Sequence, residues 1–112
     1  MLGSLTEGVI VVDRDFEVIG WNYRSEDQWG LRADEVKSRH LLNLDIGLPL
    51  DQLRPALKAC LGGSSREEVM LDATNRRGKP VRCRILCSPL LGHDVEPRGV
   101  IVMVEDAPIS KS

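Results

Sequence analysis

Two short runs near opposite ends of the chain, Val9-Ile10-Val11-Val12 and Val100-Ile101-Val102-Met103-Val104, are apolar at every position. A strand with one face in water alternates apolar and polar residues, whereas a strand covered on both faces does not. Two such runs of four and five residues therefore predict two central strands in one sheet, brought together from the two ends of the chain. They fall far short of the roughly 20 apolar residues that cross a bilayer, and no signal-peptide pattern opens the chain. With 112 residues the chain fits one domain. A chain of that size buries about two thirds of its unfolded surface, enough for a core without metal or disulfide.

The elements between these runs follow from local chemistry. Asp13-Arg14-Asp15 is a polar turn, and Phe16 to Asn22 resumes an apolar strand, which together predict a hairpin. Asn22 or Ser25 is placed to cap a helix whose first turn carries Glu26 and Asp27, and Gly30 stops it. Ala33-Asp34-Glu35-Val36 supplies another helical turn, followed by an irregular stretch over Leu41 to Gly47. Leu50, Leu53, Leu57 and Leu61 share one face of a helix that Pro55 either kinks or starts, and Gly62-Gly63 ends it. Glu68 to Thr74 and Pro80 to Leu90 alternate apolar with polar, joined by a turn at Asn75-Arg76-Arg77-Gly78. Gly99 to Glu105 is the last strand. The expected fold is α+β: a five-stranded antiparallel sheet, its first and last strands near the middle, with short helices on one face. Ile101, Met103 and one pair from Val9 to Val12 then lie on the other face and call for a second cover, a partner molecule or a flanking helix. Because all four residues of Val9 to Val12 are apolar, alternation does not choose which pair points inward.

Chemistry-bearing residues are sparse. Cys83 and Cys87, four strand steps apart, are separated by about 13 Å, too far to bridge. Cys60 lies on the helical segment, and neither His40 nor His93 has a cysteine or histidine at metal spacing beside it. No phosphate-binding glycine loop, Ser-His-Asp series or metal dyad occurs, so no enzyme is expected. The basic residues Arg76, Arg77, Arg82 and Arg84 cluster on one hairpin, and cross-strand pairing with Glu68 and Asp72 is expected there over a site for an anion or acidic partner. The formal charge of −2 argues against nucleic-acid binding driven by a basic field.

The ordered series of segments resembles the PAS sensor family across residues 5 to 106, leaving 107 to 112 as a tail. Glu7 to Asp13 resembles its opening strand, Trp21-Asn22 the end of its second strand, and Trp29-Gly30-Leu31 with Asp34-Glu35-Val36 its aromatic-glycine segment and acidic turn. Gly78 to Val81 and Gly99 to Ile101 resemble the starts of its last two strands, and Glu105-Asp106 the exit to an effector. The stretches Glu26 to Val36 and Leu41 to Pro49 resemble PAS segments of bacterial chemotaxis-type methyltransferase/methylesterase fusion proteins. The resemblance implies a cytoplasmic sensory module that binds a small ligand between sheet and helices and relays it to a fused effector outside this chain, with dimerisation. The alternative is a ligand-free interaction module. Haem-binding relatives place a histidine on the helix before the third strand; residues 50 to 61 hold none, which disfavours haem. Residues 33 to 48 hold no cysteine, which disfavours a covalent flavin photoadduct, while non-covalent flavin stays open. Alternation and helical spacing turn Trp29, Leu42, Leu53, Leu57, Val69, Leu71, Val81, Cys83, Ile85 and Val102 inward as pocket candidates. Ile101 and Met103 are the candidate dimer interface. A small apolar or amphipathic ligand and a homodimer are thus the expected partners, with no nucleic acid and no membrane.

Overall fold

A computed structural model describes residues 7–44, 46–63, 65–74, 77–91 and 97–107. Five strands, β1 (Gly8–Asp13), β2 (Val18–Trp21), β3 (Glu67–Thr74), β4 (Pro80–Leu91) and β5 (Pro97–Ala107), form one antiparallel sheet in the order β2-β1-β5-β4-β3. The two wholly apolar runs are neighbours, with β5 central and β1 beside it. Register pairs Ile10 with Val102 and Val12 with Val100. These four residues are fully buried, so the tertiary structure settles the choice that alternation left open: Ile10 and Val12 point to the core, Val9 and Val11 outward. The expected tail begins within β5, at Ala107, and residues 108–112 lie outside the described residues.

The helices gather on the inner face. They are α1 (Tyr23–Trp29), α2 (Ala33–Val36), 3-10 turns at Leu41–Asn43 and Leu50–Leu53, and α3 (Arg54–Leu61). Pro55 starts a helix here and does not kink one. It occupies the first turn of α3, where its missing N–H has no intrahelical partner to lose. Gly30 ends α1 in the left-handed conformation at φ 78°, its N–H donating to Glu26 O.

The first hairpin is longer than the predicted turn at residues 13–15. Asp13 Oδ1 accepts from the Asp15 and Glu17 N–H groups, Phe16 takes a positive φ of 65°, and β2 begins only at Val18. A bulge between Val11 and Val12 absorbs the extra residue opposite, Ile19. Val18 then pairs on its free side with the loop after α2, its N–H donating to Arg39 O and its carbonyl accepting from Ser38.

Candidate functional site: the interior between sheet and helices

The inner face of the sheet is apolar at its centre. Cys83, Ile85 and Cys87 of β4 and Val100, Val102 and Val104 of β5 are fully buried, and Leu71 of β3 nearly so. Across from them stand Leu41, Leu53, Leu57 and Cys60, also fully buried. Of the ten inward candidates, Trp29, Leu53, Leu57, Leu71, Cys83, Ile85 and Val102 join one continuous core, and Leu42, Val69 and Val81 are half-buried against it. Ile101 and Met103 face the other way. In register with Val11 and Val9, and with Ser88 and Leu86 beyond, they form a half-buried apolar stripe on the outer face of the sheet.

α1 is fastened to the start of β1 by a polar cluster. Asn22 caps the helix, and its Oδ1 accepts from Val9 N–H at 2.9 Å, Ser25 N–H at 3.0 Å and Ser25 Oγ at 3.0 Å. Its Nδ2 donates to Glu7 O at 3.2 Å. Ser25 and Gln28, the buried polar residues among those described, are directed at Gly8. A Cβ placed there would crowd both Gln28 Oε1 and Ser25 Oγ, so only glycine lets the helix approach this closely. Either Asn22 or Ser25 could cap by sequence, but position decides: Asn22 is extended, while Ser25 lies inside the helix and bonds to the cap.

The two tryptophans differ in one respect. Trp21 Nε1 donates to Leu31 O at 2.9 Å, whereas Trp29 Nε1, buried at the last position of α1, finds no acceptor among the described residues. Trp29 is 6% exposed. An indole N–H in that position is the polar feature that inward spacing alone does not reveal.

The three cysteines are buried and form no disulfide with one another. Burial, then the neighbouring Cys60 and Glu67, push the Cys87 thiol up to about 12, and burial with Glu67 also raises Cys60. Both thiols are held protonated and unreactive at neutral pH. Among the described residues no group of three or more His, Cys, Asp or Glu is placed to hold a metal ion. His40 is half-buried and does local structural work: its Nδ1 accepts from Leu42 N–H at 3.2 Å, and its ring meets Phe16 edge-on at 6.0 Å. His93 lies outside the described residues. The basic hairpin pairs across strands as its spacing predicts, Arg84 with Glu68 at 2.8 Å and Glu105 at 3.5 Å, Arg82 with Asp72 at 4.0 Å. Away from the interior, a shallow cleft of about 300 Å³ separates α2 from β2, lined by Val18, Trp21, Ala33 and Lys37 among others.

These features define an α+β fold, one antiparallel sheet under short helices, and comparison places the chain: the PAS fold profile matches residues 1–107, and the protein belongs to the PAS family. That is a family of sensory modules, and no catalytic family is indicated. A search of curated proteins returns no match. Among solved structures, a sensory box sensor histidine kinase from Vibrio cholerae superposes with a TM-score of 0.75 at 18% identity, covering 96% of this chain and 87% of that one. The PAS domain of the Cronobacter turicensis quorum-sensing receptor RpfR, in complex with BDSF, gives 0.71 at 16% identity over 96% and 100%. A Vibrio cholera VqmA–ligand–DNA complex gives 0.81 at 14% identity, covering 94% of this chain but only 48% of that one.

The last of these corrects one expectation. Net charge does not exclude a nucleic-acid partner, because this same fold makes up about half of a protein solved on DNA. A charge summed over 112 residues reports the field of this unit and not what a longer protein carrying it contacts. No helix among the described residues is long and apolar enough to cross a membrane.

Proposed function

We propose that this chain is a sensory module that takes a small, mostly apolar molecule between sheet and helices and passes the change to an effector joined to it. The observation that carries the reading is the construction of the interior. The inner face of the sheet is apolar, and its cover is a series of short helical pieces, none longer than eight residues. Pieces this short hold their place by packing and not by their own hydrogen bonds, so the cover is the layer that opens at least cost. Leu42, Leu53, Leu57 and Trp29 contribute the helical wall, and Val69, Leu71, Val81, Cys83, Ile85 and Val102 the sheet wall. A ligand that prefers one arrangement of the cover shifts the population, and β1 and β5 carry the shift to the flanking segments. A sensor histidine kinase and a quorum-sensing receptor with this fold support the reading. The resemblance to chemotaxis-type methyltransferase/methylesterase fusions makes such a fusion the effector we favour, and three cysteines without a disulfide fit a reducing cytoplasm.

Native mass spectrometry of the freshly purified protein, set against its denatured mass, tests this directly. Extra mass that leaves on denaturation is expected; bare mass at every concentration, together with unchanged stability in the filled variant Leu57→Trp, refutes it.

A second reading rests on a different observation, the outer stripe of Val9, Val11, Leu86, Ile101 and Met103, which is half-buried in one copy. Two copies pairing there would cover it, the kind of apolar centre that dimer interfaces use. Met103→Glu is expected to give monomers by sedimentation at micromolar protein. Dimers that survive the charge defeat this reading.

A further inference from the structure

We infer that the indole N–H of Trp29 is the polar anchor of the ligand, and that the ligand is an uncharged molecule presenting a hydrogen-bond acceptor to it. This rests on the ligand-binding reading above.

The argument begins with the contrast between the two tryptophans. Trp21, buried in the same core, spends its N–H on the Leu31 carbonyl. Trp29 is only 6% exposed, and its Nε1 has no acceptor among the described residues. Buried donors in folded proteins are almost always paired, because an unpaired one has given up its water for nothing. An indole offers one donor and no acceptor, so whatever completes it must bring a lone pair. The buried polar side chains Ser25 and Gln28 are directed at Gly8 of β1.

Charge narrows the ligand further. No Asp, Glu, Lys, Arg or His is among the buried residues described, and the Cys60 and Cys87 thiols are held neutral. An ionised ligand would enter with no counter-charge, which the apolar interior penalises heavily. A pure hydrocarbon would leave the Trp29 donor unpaired. What fits is a ketone, ester, lactone, ether or neutral ring nitrogen on an apolar body. Trp29 then selects among ligands of equal apolar size: it favours the one that can accept.

Matched pairs test this, cyclohexanone against methylcyclohexane and 2-nonanone against nonane, titrated into ¹⁵N-labelled protein. The chain has two tryptophans, so its spectrum has two indole N–H signals, and Trp21 serves as the internal control. The ketones are expected to move the Trp29 signal downfield and leave Trp21 in place. They should bind about threefold to tenfold more tightly than their hydrocarbons, the range one neutral hydrogen bond supplies. In Trp29→Phe that preference should fall below one, because the ketone then gives up its water and meets no donor, whatever the space gained does to both affinities. Equal binding of both pair members with the Trp29 signal unmoved overturns the inference and leaves the ligand site standing. No binding of any of the four, with no retained mass in the native spectrum, overturns the site itself.

Discussion

Asn22→Ala should be among the most damaging single changes at a half-exposed position. The side chain makes four hydrogen bonds: three accepted by Oδ1, from Val9 N–H, Ser25 N–H and Ser25 Oγ, and one given by Nδ2 to Glu7 O. Loss of a helix N-cap costs about 1 kcal/mol. Leaving the Val9 N–H short of an acceptor adds roughly 1 to 3 kcal/mol more, while the Ser25 hydroxyl keeps the Val9 carbonyl at 3.4 Å. The total, about 2 to 4 kcal/mol, is a large share of the roughly 5 to 15 kcal/mol that holds a small domain. Asn22→Asp separates the contributions, because it keeps the acceptor, gains from the helix dipole and gives up only the bond to Glu7, for a net cost near 1 kcal/mol or less. Urea unfolding followed by far-ultraviolet circular dichroism, on wild type and both variants, measures the differences. If Asn22→Ala unfolds within about 0.5 kcal/mol of wild type, or if Asn22→Asp is as damaged as the alanine variant, the cluster does not fasten α1 to β1 and the reasoning fails.

Two further outcomes follow from the packing. Gly99 of β5 lies against Asp13 and the Val12 carbonyl, where a Cβ would overlap backbone oxygen; Gly99→Ala is expected to cost at least 2 kcal/mol in the same assay, and a neutral result would mean that β1 and β5 are not this close. The Cys87 thiol is raised from 9.0 to about 12, so above pH 9 the unfolded chain gives up its proton while the folded one keeps it. Stability is therefore whole below pH 9 and falls through the window from 9 to 12, by about 1.4 kcal/mol per pH unit from this group. Cys87→Ala should flatten that alkaline fall in urea titrations at pH 8, 9 and 10, and an unchanged slope would place the thiol in water.

Much of the architecture is written in local pattern. Strand and helix positions follow from alternation, from Gly30 and Gly62 as stops and from Pro55 as a start, because these act within a few residues of backbone. The central place of the first and last strands was legible too, since only a strand covered on both sides tolerates Val9 to Val12 and Val100 to Val104 without a polar residue. The inward set from Trp29 to Val102 could be named for the same reason: period two on strands and period three to four on helices are rules of local geometry.

Other features belong to the tertiary structure alone. Nothing in four consecutive apolar residues says that Ile10 and Val12 enter the core while Val9 and Val11 join Ile101 and Met103 outside. That depends on the register with β5 and on the bulge opposite Ile19, long-range pairings with no local signature. Two tryptophans eight residues apart look alike in sequence. One ends a short helix and is closed in without an acceptor, while the other reaches a carbonyl ten residues on. Periodicity tells which side chains are inside; whether a polar atom, once inside, meets a partner depends on where the rest of the chain has come to lie.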